Sequence, residues 1–327
     1  MRKILIITVL LLLGAVAVWL FLNLPKPAPK EQITVRETQR LIAHIPHYAA
    51  AALGYFHDQG LDVTLTTSAT GYIEDPGQAD IIITQVERIF GTQVKAFVAL
   101  TRHEPCLLLA REKNKDFQWD QVKNKTIIAG PPDSTAQVAL EEILKKNHLI
   151  PQMHVIIVQN LPLHLRRGAF LSGSGSFIIL PDPAAARMEN NGQGWIMASL
   201  AEAGEIPARV CAATPAFLSE HPDTAVAYAR AIYQAQRWLK KHEAGEIAAL
   251  VGPFFPDMGV KSLTRAIQRA KDTGLWTDTP VIEPAQYERL QQIFVAAGEL
   301  PQKIPYEKFA AAQYAQDALN NIPLPTP

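Results

Sequence analysis

From Leu41 to Leu65 the apolar positions change period within one short stretch. Ile45, Tyr48, Ala52 and Tyr55 fall at helical spacing, and Pro46 sits where a first helical turn tolerates it. Gly60 suits the residue just past a helix end, because it takes positive φ without a Cβ penalty. Leu61, Val63 and Leu65 then alternate with Asp62 and Thr64, the period-two pattern of a strand. Together with a strand over Ile33–Ile42, this predicts a β-loop-α-β unit whose crossover helix returns the chain to a parallel sheet. Ligands on such sheets sit beyond the carboxyl ends of the strands, here the loop with His44, Pro46, His47 and Tyr48.

The same alternation of strands and helices continues. Ile81-Ile82-Ile83 is a continuous apolar run, as suits a strand buried on both faces, and Thr84-Gln85 would end it on the binding edge. Val94–Leu100 and Cys106–Ala110 read as strands interrupted by Thr101-Arg102-His103-Glu104-Pro105, a pattern that suits a crossing between domains. Ile127–Ala129, Val155–Val158, Phe177–Leu180 and Val210–Ala213 are further strands. Helices are predicted over Ala136–Asn147, with Asp133 or Ser134 as N-cap, and over Leu163–Phe170, Thr214–His221 and Pro222–His242. More follow at Ala244–Val251, Val260–Lys271, Pro284–Ala297 and Tyr306–Asn320. Ser172-Gly173-Ser174-Gly175-Ser176 lacks the lysine of a phosphate loop and precedes a strand, so it reads as a turn.

Residues 1–24 read as a targeting segment. Arg2 and Lys3 precede an apolar run from Ile4 to Leu24, about long enough to cross a hydrocarbon core. Because Trp19-Leu20-Phe21-Leu22 extends the run past the small residues Ala15-Val16-Ala17, an uncleaved signal anchor is favoured over a signal peptide cut near Ala28. Residues 25–32, PKPAPKEQ, form a stiff Pro/Lys tether. Either reading puts the body outside the cytoplasm.

The 31 Lys+Arg balance 31 Asp+Glu, which argues against a nucleic-acid partner. Two cysteines make no disulfide scaffold, no metal-ligand spacing is present, and there is no GxSxG elbow or Walker motif, so neither cofactor nor catalytic set is expected.

Three short motifs in order carry a resemblance: Pro46-His47-Tyr48-Ala49, then Gly54-Tyr55-Phe56, then Gly60-Leu61-Asp62-Val63. They resemble the opening of the periplasmic solute-binding proteins of the sulfonate, nitrate and thiamine-precursor group. Gly77-Gln78-Ala79-Asp80, the turn at Asn124-Lys125 and Phe217-Leu218 with Glu220-His221-Pro222-Asp223 continue it, over roughly residues 33–250. The family's second-lobe Trp-Glu-Pro corner is replaced here by Pro181-Asp182-Pro183, which removes an aromatic face for a flat ligand.

The resemblance implies an α/β protein of the type II periplasmic-binding-protein fold. Two lobes with mostly parallel sheets would be joined by two hinge crossovers, lobe 1 from 33–108 and 208–327 including the C-terminal helices, lobe 2 from 109–207. It implies a monomer that binds a small molecule between the lobes and delivers it to an ABC permease. Its ligand set would be drawn from His47, Tyr48, Thr84, Gln85, Arg102, Ser134, Thr135 and Asp182, with His44 and His103 nearby. Ser134 and Thr135 at a helix start make an anion seat, though the same residues also serve as ordinary caps. Tyr48 equally suits the core, Arg102 a solvated hinge and Asp182 a turn. Cys106 and Cys211 would lie on neighbouring interdomain strands, either as a disulfide or as two buried thiols. An organic anion such as a sulfonate is the favoured solute; a thiamine-pyrimidine precursor, a membrane-anchored sensor role, and an enzyme of the thiamine-pyrimidine synthase kind are the rivals.

Overall fold

A computed structural model of the chain describes residues 30–68 and 79–320. The predicted targeting segment, most of the tether and the turn at Gly77-Gln78 lie outside these residues. Among the described residues no helix is long and apolar enough to cross a membrane.

The strands are β1 (Glu31–Glu37), β2 (Leu61–Thr67), β3 (Ile81–Gln85), β4 (Lys95–Ala99), β5 (Cys106–Ala110), β6 (Thr126–Ile128), β7 (Ile156–Val158), β8 (Phe177–Pro181), β9 (Trp195–Ser199) and β10 (Arg209–Ala213). They form two five-stranded sheets, β2-β1-β3-β10-β4 and β7-β6-β8-β5-β9. The two orders are the same plan used twice, which makes an α/β protein of two lobes. Each sheet has parallel pairs around one strand, β1 with β2 and β3 in the first and β6 with β7 and β8 in the second, and one strand that runs antiparallel to its neighbours. β10 enters the first sheet antiparallel to β3 and β4, and β5 enters the second antiparallel to β8 and β9. Each sheet is therefore half parallel and half antiparallel rather than mostly parallel. The lobe boundary expected at 108 would cut β5, which lies wholly in the second sheet. β5 alternates faces: Leu108 and Ala110 join one apolar cluster, Leu107 and Leu109 another.

The helices are α1 (Ile45–Ala52), α2 (Tyr55–Asp58), α3 (Thr135–Lys146), α4 (Leu163–Leu171), α5 (Ala184–Asn190), α6 (Pro215–Glu220), α7 (Pro222–Lys241), α8 (Ala244–Val251), α9 (Val260–Asp272), α10 (Pro284–Ala296), α11 (Tyr306–Phe309) and α12 (Gln313–Asn320). Sequence periodicity missed β9 and α5, and it extended β1 beyond Glu37 into what is a turn at Ile42–His44. Gly60 has φ 77°, as its position required, and Asn124 takes the left-handed turn at φ 59°. Leu290, Ile293 and Phe294 of α10 share one core with Val138 and Leu140 of α3 and with Ala96, Ala99 and Val210 of the first sheet, so this C-terminal helix packs on both lobes. The final helical stretch is split between α11 and α12, where Ala311 N–H bonds back to Ala96 O.

β1, β2 and α1 meet around one buried carboxylate, Glu37. It accepts from His44 Nδ1 at 2.9 Å, from the hydroxyls of Tyr48 and Thr67, and from Arg40 Nε at 3.1 Å. Burial raises its pKa, but His44, Tyr48 and Thr67 outweigh that and hold it below the ordinary 4.5. His47 packs on Phe56 and Tyr228, with Nδ1 2.9 Å from the Tyr228 hydroxyl. Tyr48 stacks on Phe254.

Burial pushes His47 down from 6.5 to about 3 and lowers His44 as well, so both rings are neutral at pH 7. The unfolded chain protonates these rings below about pH 6.5, whereas folded His47 resists until near 3, so stability is lost across that window as pH falls. Glu37 adds to the loss below 4.5, since its folded value is depressed. His47→Gln, which cannot titrate, should lower Tm at neutral pH but flatten its decline between about pH 6.5 and 4. Thermal melts across that range check this; curves parallel to wild type would refute it.

Candidate functional site

The carboxyl ends of the parallel strands in both sheets face a common cavity of ≈ 560 Å³. Gln39 follows β1, and Gln85, Glu87 and Arg88 follow or end β3. From the other lobe come Gly130, Pro131 and Ser134 after β6, Pro162, His164 and Arg166 after β7, and Pro181 at the end of β8. Glu104, Cys106 and Arg209, on the two crossovers, complete the lining. This is the cleft that βα geometry predicts, drawn from both lobes.

Ser134 caps α3: its Oγ accepts from Gln137 N–H at 3.2 Å and donates to Pro131 O at 2.7 Å. Gly130 is required here for a steric reason. A Cβ on it would stand 2.6 Å from Ser134 Oγ. Thr135 is buried and donates its hydroxyl to Glu87 Oε2 at 2.6 Å, and Arg88 lies 3.8 Å from Asp133. Both contacts join the turn after β3 in one lobe to the start of α3 in the other, so they bridge the two walls of the cleft.

Arg209 is 5% exposed. Its Nη1 donates to Ala208 O, while its buried Nε has no hydrogen-bond partner. Glu104 is 1% exposed; Oε1 accepts from Cys106 N–H at 3.2 Å and Oε2 has no partner. Burial raises the Glu104 pKa, against the lowering effect of Arg209. Arg166 Nε donates to Leu161 O at 2.9 Å. The cleft therefore holds a buried cation and a buried carboxylate, each with a polar atom left unpaired.

Of the residues expected at the site, Gln85 and Ser134 line this cavity, and Thr135 borders it through Glu87. The others are elsewhere. His47 and Tyr48 are fully buried in the first lobe, held by Tyr228 and Glu37, and His44 lies beside them on Glu37. They mark the core because α1 turns that face onto α7. Thr84 is buried within β3 opposite Val210. Arg102 points away and binds Gly274 O and Asp278, and His103 bonds Gly204 O. Asp182 is 7% exposed and tied to Arg269 Nη2 at 3.0 Å and to Ala186 N–H at 2.9 Å. It lines a second cavity of ≈ 330 Å³ against α9, whose lining shares Glu104 with the cleft.

Cys106 and Cys211 are free buried thiols. They cannot be the expected neighbours, because β5 and β10 are inserted into different sheets. Cys106 borders the cleft, with its thiol pushed up by burial and by Glu104, the reverse of an activated nucleophile. Sequence reading missed Arg209, Glu104 and Arg166; the only signal was their position at the crossovers and after a strand. Among the described residues no group of three or more His, Cys, Asp or Glu could hold a metal ion.

The family model described as "NMT1/THI5 like" matches residues 42–245, well over half the chain. The chain belongs to that family. The YtlA protein of Bacillus subtilis (strain 168) is 29% identical over 309 residues, covering 87% of this chain and 89% of its own. A solved Bordetella bronchiseptica RB50 protein superposes with TM-score 0.68 at 22% identity, over 89% of this chain and 98% of that one. The alkanesulfonate-binding protein SsuA of Xanthomonas axonopodis pv. citri, bound to MOPS, does so with TM-score 0.64 at 13% identity, over 85% and 96%. The nitrate-binding protein NrtA of Synechocystis PCC 6803 (TM-score 0.67, 12% identity, 90% of each chain) shares the architecture. So does the desulfurization enzyme DSZB (TM-score 0.63, 11% identity, 89% and 99%). These likenesses establish the periplasmic-binding-protein fold.

Ser134→Ala should cost about 1 kcal/mol through the lost cap. Gly130→Ala should cost at least as much, because its Cβ forces Ser134 off Gln137. Urea unfolding midpoints test both, and a Gly130→Ala protein as stable as wild type would contradict the close approach.

Proposed function

We propose that this protein is the extracytoplasmic solute-binding component of an ABC-type importer, and that its solute is a small organic anion of the sulfonate kind. The observation that carries the reading is Arg209, a buried guanidinium with an unpaired Nε at the floor of a two-walled cleft. A guanidinium matches a sulfonate or carboxylate in fork geometry. Gln85 and Ser134 on opposite walls would add neutral hydrogen bonds, while one oxygen of the lining carboxylate Glu87 is taken by the hydroxyl of Thr135.

Family membership supports a binding role, and neighbours with this fold include binders of alkanesulfonates and of nitrate. A thiamine-pyrimidine precursor is less favoured. Among the described lining residues there is no Phe, Tyr or Trp to stack on a flat ring. A DSZB-like catalytic role is disfavoured by the raised thiol of Cys106. The apolar run Ile4–Leu24 would place the body outside the cytoplasm and tether it beside the permease, raising the local solute supply there.

A thermal-shift screen of the purified protein tests the reading with alkanesulfonates, nitrate, bicarbonate, hydroxymethylpyrimidine and simple amines. An organic anion at a hundredfold its Kd should add ~2.7 kcal/mol of stability. Arg209→Gln should abolish the rise. A response confined to the pyrimidine, or none to any anion, would overturn it.

A further inference from the structure

Two side chains that line the cleft, Arg209 and Glu104, each carry a buried polar atom without a hydrogen-bond partner, Nε and Oε2, of opposite character. Leaving either without a partner costs free energy, because a desolvated charged group loses its water and gains nothing. They could satisfy each other, yet they do not. Arg209 turns Nη1 to Ala208 O, and Glu104 turns Oε1 to Cys106 N–H. Arg209 N–H donates to Thr101 Oγ1 and Arg209 O accepts from Leu100 and Thr101, which fixes one crossover against the other.

The other charged groups lining the cavity already have contacts. Glu87 takes the Thr135 hydroxyl, Arg88 lies near Asp133, and Arg166 holds Leu161 O. A purely anionic solute would satisfy Arg209 and add a like charge beside Glu104. A solute that also brings an N–H donor would satisfy both.

We infer that the solute is amphoteric, with its acid group on Arg209 and a nitrogen-borne donor, such as an ammonium, on Glu104. This rests on the solute-binding reading above and adds the second half of the ligand. Glu104 is the specificity-determining residue, since it discriminates between acids that differ only in that nitrogen. The polar atoms left unpaired by the wrong ligand supply the discrimination, an effect larger than any loss of apolar contact.

The test compares matched pairs on the full chain by calorimetry and thermal shift: β-alanine with propionate, taurine with ethanesulfonate, and γ-aminobutyrate with butyrate. The aminated member of a pair should bind about tenfold or more tightly, as a hydrogen bond to a charged group implies. Glu104→Gln should bring the two members together, and Arg209→Gln should weaken both, with melts of each free variant confirming a folded protein. If the acids without nitrogen bind as well as their partners to the wild type, the amphoteric assignment is wrong and the anion reading stands. If no pair and no anion binds, both fall.

Discussion

Two stretches of chain pass between the lobes, and hydrogen bonds stitch them together where they meet. Thr101 Oγ1 accepts from Arg209 N–H, and Arg209 O accepts from Leu100 and Thr101. Immediately past this point each stretch becomes a strand inserted antiparallel into the opposite sheet, β5 in one and β10 in the other. The second sheet is built from one continuous run, β5 to β9, whereas the first is finished only when the chain returns as β10. The insertion also puts the side chains of the crossovers, Glu104 and Arg209, at the bottom of the cleft, where the carboxyl ends of the parallel strands already converge.

That arrangement separates what is structural from what can meet a solute. The histidines and tyrosine of α1 look like chemistry in the sequence, yet they serve the buried carboxylate of Glu37 and the packing against Tyr228. The cleft is lined by polar side chains from short connections after strands, a common arrangement where a rigid sheet positions binding groups. Its walls are joined by Glu87 with Thr135 and by Arg88 with Asp133, close to the floor. A solute held there would lie beside contacts that already hold the walls together.

The C-terminal helices limit how freely the lobes can part. α9 meets the second lobe through Arg269 with Asp182 and Glu189, and α10 meets α3 through Arg289 with Glu142. Trp276 Nε1 donates to Ile42 O, and Ile42 N–H donates to Asp182 O, so the back of the hinge is tied by backbone as well as by charge. Asp182, which stands where the family carries a ligand-corner acid, is taken up in this tie.

Local sequence by itself determined the β-loop-α-β opening, the left-handed turns at Gly60 and Asn124, the Ser134 cap and most of the strands. These rest on period, backbone sterics and neighbouring hydrogen bonds, which are written in consecutive residues. It also pointed to the two-lobed plan through the motifs that resemble the family. Only the tertiary structure decided which polar residues face the cleft. His47 and Thr84 are as polar in sequence as Gln85, but helix rotation and sheet insertion bury them. Cys106 and Cys211 read as neighbours until strand order put them in different sheets. Arg209 and Glu104, over a hundred positions apart, carry no shared local signal. They meet because two crossovers hydrogen-bond at the hinge, a contact made across the fold and not along the chain.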